Sequence, residues 1–376
     1  RNSVKKMNLL SIVIFCFLLI IAINTLLNFL NWNKTKIQIS NDEQLTILIP
    51  ARNEESNIKR CIESIDISND LIKEIIVLDD NSEDRTWLIL EEISKINKKL
   101  TIKRGLKKPD GWSGKSYACY QLSKFPSTNW ILFIDADTEL KKKAPEKLLS
   151  YSIDNNVSML SAWPQIEMKS ISEKLLMPLL NFIVFTTFPA IYAKKSNMPS
   201  LGLAHGACIL FNKKIYEDIS GHELVKDSLF EDTDLAKKWR SNNQVSACIN
   251  GLNIIKVRMY TSFKDIWLGF EKNSYPAFKN DIYFFSFQIF NFLFFSFPVI
   301  LMPLHLLKIY ENNLLFFSGL LILFLRILLS IKFKHPIWSS FFHVLAETVF
   351  LLISLSSFIK YNFLSGIKWK SRKYGK

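Results

Sequence analysis

The sequence predicts an α/β domain with a mostly parallel sheet, flanked by membrane-spanning helices. Within residues 32–281, short apolar runs alternate with amphipathic stretches of helical period, as expected of strands whose sheet is covered by helices on both faces. Long apolar stretches lie on both sides of this block, and the 376 residues are 49% hydrophobic with 30 Phe. Three strands also run directly into polar or acidic sequence. The chain therefore combines a globular domain with membrane segments.

The apolar stretches are long enough to cross a bilayer, whose hydrocarbon core requires roughly 20 residues. A cleaved signal peptide is the alternative for the first stretch, but its apolar core is long and no small-x-small cleavage site follows it. We expect a membrane anchor in residues 1–31, and about three apolar segments with a basic tail in residues 282–376. The candidate segments are Met7–Leu30, Ile282–Leu307, the shorter Leu314–Ile331, which contains Arg326, and Pro336–Ile359, which contains Glu347.

The net charge of +14 does not indicate a nucleic-acid-binding protein once it is divided by segment. The polar block carries 35 basic and 32 acidic residues, whereas the flanking regions hold most of the excess positive charge. Basic residues beside membrane segments attract anionic lipid head groups. We therefore expect a membrane partner and no nucleic-acid partner.

The five cysteines are widely spaced and include no C-x-x-C pair. They indicate neither a disulfide framework nor a zinc site.

Leu45–Ile49 is the first predicted strand, and Pro50 ends it. The polar stretch from Ala51 to Ser56 leads into a predicted helix with apolar positions Ile58, Ile62 and Ile65. Apolar residues at this spacing form one buried face of a helix.

Ile75–Leu78 is the second predicted strand, and Asp79 and Asp80 follow it. Ser82 is expected to cap the next helix. Lys99–Lys103 is a third predicted strand. Asp80 is a candidate ligand-binding residue, with a simple turn former as the alternative.

Trp130–Ile134 is the fourth predicted strand, and it runs directly into Asp135-Ala136-Asp137. Side chains alternate along a strand, so both carboxylates are expected to point the same way. Such oxygen ligands suit Mg²⁺ or Mn²⁺ with positions left open for phosphate. Because ligands bind at the carboxyl ends of strands in open α/β sheets, the motif predicts a metal–diphosphate site.

The loop of residues 109–116 contains Gly111, Gly114 and Lys115 and precedes a helix expected from about Tyr117. The spacing is not that of a Walker A motif. Glycine, lysine and a helix start can nevertheless approach phosphate. An ordinary surface turn is the alternative.

Taken in order, these motifs resemble those of glycosyltransferase family 2, whose members have the Rossmann-like GT-A fold and use nucleotide sugars. A narrower set of motifs resembles the branch that contains bacterial carotenoid and hopanoid-associated glycosyltransferases. The first set is Pro50-Ala-Arg-Asn-Glu-Glu55, Asp79-Asp-Asn-Ser-Glu-Asp84, Gly111-Trp-Ser-Gly-Lys-Ser116, Asp135-Ala-Asp137 and Glu231-Asp232. The second is Gly114-Lys-Ser-Tyr-Ala-Cys119, Ser220-Gly-His222, and Arg258-Met-Tyr260 with Gly269-Phe-Glu-Lys-Asn273.

The resemblance implies that Pro50, Glu54 and Asp80 line a nucleoside pocket. A carboxylate such as Asp80 accepts a hydrogen bond from the N–H of a uracil ring, which favours UDP. Lys115 would contact the nucleotide or its phosphates.

The resemblance also implies a cation site at the Asp135-Ala136-Asp137 motif. Asp137 would ligate Mg²⁺ or Mn²⁺, and Asp135 would contact the ribose or the metal. The cation would neutralise the departing diphosphate.

Asp232 would be the general base, so that direct displacement inverts the anomeric carbon. A helix start with favourable acids is the alternative for this stretch, and both can hold. On a helix, Asp232 and Asp234 diverge and cannot chelate together. Glu231 and His222 are expected on the acceptor side, with a structural histidine as the alternative for His222.

The uncharged stretch Leu175–Ala193 is broken by Pro178 and Pro189. We expect residues 170–194 to form an interfacial helical segment that guides a lipid acceptor. The Q-x-x-R-W motif of processive polysaccharide synthases is missing after the candidate base. This disfavours a polymer synthase.

The resemblance and the membrane segments together predict metal-dependent, inverting transfer of a hexose from a UDP-sugar to a hydrophobic lipid such as a carotenoid or terpenoid. A polyprenyl-phosphate or glycolipid glycosyltransferase is one alternative, and a non-catalytic membrane scaffold of the same fold is another. We expect the domain of residues 32–281 to lie on the cytosolic side of a bacterial-type plasma or internal membrane, where sugar nucleotides are found.

Overall fold

Strands and helices alternate through the middle of the chain, and longer helices occur before and after it in sequence. The computed structural model describes residues 2–32, 43–278, 280–364, 366–369 and 372–374. Its strands are β1 Leu45–Ala51, β2 Ile72–Asp79, β3 Leu100–Arg104, β4 Trp130–Ile134, β5 Thr138–Leu140, β6 Met159–Ile166, β7 Cys208–Asn212, β8 Ser246–Val257, β9 Ile367–Trp369 and β10 Arg372–Tyr374. Its α-helices are α1 Asn2–Asn31, α2 Ile58–Glu63, α3 Thr86–Ser94, α4 Gly114–Leu122, α5 Ala144–Asp154, α6 Ile171–Thr187, α7 Ala190–Lys195, α8 Lys213–Asp218, α9 Glu231–Ser241, α10 Phe263–Ser274, α11 Asp281–Asn291, α12 Phe297–Leu306, α13 Asn313–Phe333 and α14 His343–Phe363.

The chain divides into two compact units. The sheet unit comprises Trp32–Glu167 and Tyr192–Met259. The helical unit comprises Arg1–Asn31, Met168–Ile191 and Tyr260–Lys376. Residues 168–191, which include helix α6, therefore belong with the long apolar helices.

The described strands of the sheet unit form one eight-stranded sheet in the order β3-β2-β1-β4-β7-β6-β8-β5. β1 pairs parallel with β2 and β4, and β2 pairs parallel with β3. Beyond β4 the sheet is mixed, because β7 runs antiparallel to β4 and β6 while β6 and β8 run parallel. The predicted α/β class is confirmed, and the four strands predicted from the sequence are the parallel half.

Both faces of the parallel half are covered. Successive side chains of β4 point to opposite faces, so Leu132 and Ile134 pack in one core with helices α2 and α5. Ile131 and Phe133 pack in the other core with helices α4 and α9. Every β4 side chain is buried, which explains the continuous apolar run in the sequence. Helices α4 and α9 therefore lie on the same face of the sheet.

Two predicted helix starts are wrong. Helix α3 begins at Thr86 rather than directly after Ser82, because the Ser82 hydroxyl accepts a hydrogen bond from the Asn53 N–H, 3.0 Å away, in the loop after β1. Helix α4 begins at Gly114, earlier than expected, because the Ser113 hydroxyl accepts a hydrogen bond from the Ser116 N–H and caps the helix. The earlier start places Lys115 in the first turn.

Four helical stretches in the described residues are long and apolar enough to cross a membrane. They occur where the sequence predicted them, but the last begins at His343, because Pro336 and a 3₁₀ turn at Ile337–Ser340 precede it. The second contains a π-helical turn at Phe292–Ser296. These lengths and compositions indicate membrane association. The stretches are Leu9–Asn31, Asp281–Leu306, Asn313–Phe333 and His343–Phe363.

Two asparagines of helix α1 cap the end of helix α6. Pro189 has no N–H to donate to the Phe185 carbonyl four residues earlier. The Asn28 side-chain amide donates to that carbonyl instead, at 2.9 Å, and to the Phe188 carbonyl at 2.7 Å. Its oxygen accepts from the Ala190 N–H at 3.2 Å, and Asn24 donates to the Thr186 carbonyl at 2.9 Å. These bonds join α1 to the C-terminal end of α6.

Replacing Asn28 by leucine should destabilise the helical unit. The change removes three hydrogen bonds and leaves buried backbone groups without a partner, which we expect to cost about 1–2 kcal/mol. Unfolding of the full chain in detergent, followed by circular dichroism, measures the loss. Asn31→Leu is the matched control, because among the described residues the Asn31 amide bonds to the Leu27 carbonyl of its own helix. Equal effects of the two changes would contradict this account of the cap.

Candidate active site

A lysine joins two acidic residues that come from different elements of the sheet unit. The Lys115 Nζ lies 2.7 Å from Asp135 Oδ1, 2.9 Å from Asp135 Oδ2 and 3.0 Å from Glu231 Oε1. Lys115 is in the first turn of α4, Asp135 follows β4 directly, and Glu231 begins α9. Burial lowers the pKa of Lys115, but Asp135 and Glu231 outweigh it and raise the pKa well above its usual value. Lys115 is therefore a permanent positive charge among carboxylates.

Asp232 lies next to this cluster in the first turn of α9. Its Oδ2 accepts a hydrogen bond from the Gly206 N–H at 2.7 Å, and its Oδ1 accepts one from the Thr233 N–H at 2.7 Å. Burial, reinforced by Glu231, raises the pKa of Asp232 to about 7, although Lys115 and the two backbone donors oppose the shift. Asp232 can therefore gain or lose a proton near neutral pH.

Gly206 stands between these side chains, and no sequence motif marks it as a site residue. The Asp135 N–H donates to the Ala207 carbonyl at 3.2 Å, which brings this stretch next to the end of β4. A Cβ at position 206 would lie 2.8 Å from Lys115 Nζ and 3.4 Å from Asp232 Oδ2. The missing side chain leaves room for the ammonium group.

The predicted nucleoside residues lie at or just after the ends of neighbouring strands, and β1 continues through Pro50 to Ala51 rather than ending at Pro50. Pro50 pairs in register with Leu78, and the Asp80 N–H donates to the Ala51 carbonyl at 2.8 Å. The Glu54 carboxylate accepts from the Asn57 side-chain amide at 2.9 Å. Pro50 and Asp80 therefore lie at the same edge of the sheet, as expected.

Arg104, at the end of β3, was not singled out by the sequence. Its guanidinium lies 3.5 Å from the fully buried Asp79 and 3.9 Å from the centre of the Trp87 ring. No motif in the sequence marks it, because its partners come from β2 and α3.

The Asp135-Ala136-Asp137 motif is a turn rather than an extension of β4. The strand ends at Ile134, and the Thr138 N–H donates to the Asp135 carbonyl at 3.0 Å. Strand alternation therefore does not set the direction of the two carboxylates, and that part of the prediction is wrong. Helix α2 supports the turn, because the Cys61 thiol donates to the same carbonyl at 3.6 Å. Burial, with Asp137 as the largest charge effect, raises the pKa of that thiol.

The donor set fits a cation that takes few protein ligands. Among the described residues, no group of three or more His, Cys, Asp or Glu side chains is arranged to hold a metal. Mg²⁺ and similar cations are commonly bound by one or two carboxylates together with substrate phosphates. The ammonium of Lys115 between Asp135 and Glu231 demonstrates that this position stabilises positive charge. Asp135 and Asp137 are the residues that could hold such a cation.

The second D-x-D stretch does not form a chelating pair, as predicted. Asp234 Oδ2 accepts from the Ser228 hydroxyl at 2.8 Å, and Asp234 Oδ1 lies 3.9 Å from Lys237 Nζ. The Asp232 carboxylate instead accepts a hydrogen bond from the Gly206 N–H.

Residues 46–220 match the family described as Glycosyl transferase family 2. This part of the chain belongs to glycosyltransferase family 2. The resemblance noted in the sequence is thereby confirmed, and Glu231 and Asp232 follow the matched segment.

Two relatives from Staphylococcus aureus, strains N315 and MRSA252, are each called 4,4'-diaponeurosporenoate glycosyltransferase. Both are 30% identical to this chain over 246 residues, which are 64% of this chain and 63% of theirs. The chain thus matches less than two thirds of the length of these relatives.

A mannosyltransferase from Pyrobaculum calidifontis, solved in complex with GDP-Man and Mn²⁺, has a similar structure. The TM-score is 0.58 at 12% identity, over 93% of this chain and 98% of the mannosyltransferase. At this identity the likeness concerns the fold, and it confirms the GT-A class for the family 2 domain.

Two histidines near the end of the family 2 match are neutral at physiological pH. His222 is buried, its Nδ1 lies 2.6 Å from the Tyr216 hydroxyl, and burial lowers its pKa to about 4. Its ring packs against Phe133 at 5.1 Å. His205 is partly buried, and its Nδ1 accepts from the Ala207 N–H at 3.2 Å. Loss of hydration, reinforced by the charge of Lys115, lowers the pKa of His205 to about 3. The contacts of His222 are those of a core residue.

Replacing Tyr216 by phenylalanine should destabilise the family 2 domain. The hydroxyl pairs with His222 Nδ1 and accepts from the His222 N–H at 3.2 Å, so its removal leaves two buried polar groups unsatisfied. We expect a loss of about 1–3 kcal/mol in the free energy of unfolding, measured by thermal denaturation. Tyr192→Phe is the control, because Tyr192 is 55% exposed. An unchanged melting temperature for Tyr216→Phe would show that this pair does not support the fold.

Proposed function

We propose that this protein is a membrane-associated glycosyltransferase that moves a hexose from a UDP-sugar to a hydrophobic lipid, with a carotenoid or related terpenoid as the leading acceptor class. The observation that carries the proposal is the position of Asp232. It lies in the first turn of α9 beside the Lys115, Asp135 and Glu231 cluster, and its pKa of about 7 suits a base at neutral pH. Family 2 membership of residues 46–220 supports the same reaction class.

The nucleotide would bind at the ends of β1 and β2. Asp80 would accept a hydrogen bond from the N–H of uracil, with Pro50 and Glu54 beside it. The parallel pairing of β1 and β2 supports this arrangement, because it places the residues that follow both strands at one edge. Lys115 would contact the phosphates, since its ammonium reaches into the acidic cluster.

Asp135 and Asp137 would hold the divalent cation, Mg²⁺ or Mn²⁺. When bound, such a cation supplies charge that stabilises the departing diphosphate. Asp135 contacts the positively charged ammonium of Lys115. This is consistent with a cation site at the end of β4.

Asp232 would accept the proton of an acceptor hydroxyl, or orient an acceptor carboxylate, on the face of the sugar opposite the leaving group. The Gly206 and Thr233 N–H groups fix its carboxylate through two hydrogen bonds of 2.7 Å. Direct displacement in this geometry inverts the anomeric carbon. Glu231 would lie on the acceptor side, next to Asp232 in the same helical turn.

The acceptor class is inferred from the relatives and from the composition of the helices. The Staphylococcus aureus relatives are named for 4,4'-diaponeurosporenoate. Four helices long and apolar enough to span a bilayer place this chain at a membrane, where such a lipid dissolves. We infer that the domain faces the cytosol, where sugar nucleotides are available.

The reaction can be tested by measuring UDP release from UDP-glucose with Mn²⁺ and extracted membrane lipids, using the full chain. We expect metal-dependent release and a glycosylated lipid product. Asp232→Asn should lower kcat by about 100-fold or more, because general-base catalysis is worth about 10²–10⁴-fold, while UDP binding is retained. Asp234→Asn is the control, since Asp234 contacts Ser228 and Lys237. Full turnover in Asp232→Asn would rule out Asp232 as the base. No metal-dependent turnover with any of several sugar nucleotides would favour a non-catalytic scaffold.

The rate should depend on pH through Asp232. A base is active when deprotonated, and the pKa of Asp232 is raised to about 7. We therefore expect kcat/KM to rise as the pH increases from 6 to 8, with a midpoint near 7. A profile that is flat through this range would rule out Asp232 as a base with a raised pKa.

A further inference from the structure

The Lys115 ammonium lies within the acidic cluster of the sheet unit. It contacts both oxygens of Asp135 and one oxygen of Glu231, all within 3.0 Å. The Asp135 side chain is 29% exposed and that of Glu231 is 11% exposed, so solvent screens these contacts only in part. Asp135 is also one of the two proposed metal ligands.

We propose that Lys115 is an internal counter-cation that competes with the divalent metal for Asp135, so that the metal binds well only together with the nucleotide diphosphate. The inference rests on the proposed function for the identity of its ligands. It assigns Lys115 a role before the donor binds, in addition to its contact with phosphate.

Electrostatics gives the first reason for competition. A metal held by Asp135 would lie close to the Lys115 ammonium, because that ammonium contacts both oxygens of the same carboxylate. Repulsion between a divalent and a monovalent cation at this separation is strong in a partly buried site. Either Lys115 moves or the metal binds weakly.

The second reason is that a diphosphate resolves the conflict. Its oxygens supply the metal ligands that the described residues lack, and they offer the ammonium an alternative anionic partner. Lysine has a flexible stem and a terminal charge that can turn between partners. Gly206 gives it room, because a Cβ there would lie 2.8 Å from Nζ. Metal and nucleotide should therefore bind with positive coupling.

Titration of the full chain with Mn²⁺ in detergent, with and without UDP, tests this directly. Electron paramagnetic resonance detects the free Mn²⁺ that remains. In the natural protein we expect weak binding alone and much tighter binding with UDP. In Lys115→Met we expect binding without UDP to be at least tenfold tighter, and the gain from UDP to be smaller. Since coupling is reciprocal, Mn²⁺ should also enhance UDP affinity less in this variant.

Three further variants separate charge from folding and from general electrostatics. Lys115→Arg keeps the charge and should bind Mn²⁺ weakly without UDP, as the natural protein does. Lys115→Gln removes the charge but retains a hydrogen-bond donor, and it should show the same tighter Mn²⁺ binding without UDP. It replaces Lys115→Met in the test if Lys115→Met does not fold. Lys237→Met removes a positive charge from α9, 3.9 Å from Asp234, and should leave Mn²⁺ binding unchanged.

The proposal is overturned if Lys115→Met and Lys115→Gln bind Mn²⁺ without UDP no more tightly than the natural protein, or if none of the proteins binds Mn²⁺ when UDP is present. The expected Mn²⁺ pattern without sugar transfer would support the role of Lys115 and refute the proposed function. Metal-dependent transfer with unchanged Mn²⁺ affinity in Lys115→Met would support the proposed function and refute the role of Lys115.

Discussion

The ion pairs of Lys115 with Asp135 and Glu231 are the interactions on which the candidate site depends. Asp135 follows a strand and Glu231 begins a helix, and Asp232 adds a third carboxylate beside them. Burial raises the pKa of both Asp135 and Asp232, which means that their charges are costly where they lie. The single ammonium offsets part of this cost and links α4, β4 and α9. The ion pairs therefore help to hold α4, the end of β4 and α9 together.

The charged residues in the first turns of α9 and α4 have opposite effects on the stability of their helices. Acids in the first turn of α9 are favourable, because the N-terminus of a helix carries partial positive charge. A lysine in the first turn of α4 is unfavourable for the same reason, by a few tenths of a kcal/mol to about 1 kcal/mol. Its contacts with Asp135 and Glu231 explain why it is found there. Neither local propensity nor capping accounts for Lys115, which points to a role in the site.

Where the sequence prediction succeeded, the cause is local. Trp130–Ile134 is an apolar run bounded by polar residues, and its strand was predicted to the residue. The start of α3 was missed because Ser82 bonds to Asn53, a partner in the loop after β1. Gly206 was missed as a site residue because its importance comes from three side chains that meet only in the folded chain. Motifs identified the charged residues of the site, but not how tertiary contacts arrange them.

The same positive charge that neutralises the cluster also sets the state of Asp232. Lys115 lowers the pKa of Asp232, against the larger effects of burial and Glu231. If Lys115 turned toward a diphosphate with nothing in its place, Asp232 would gain a proton more readily and would be a poorer base at neutral pH. The proposed divalent cation would restore this positive charge as the ammonium leaves. The protonation of Asp232 and the proposed replacement of the Lys115 ammonium by a divalent cation thus depend on the same charges. A change to one should alter the other.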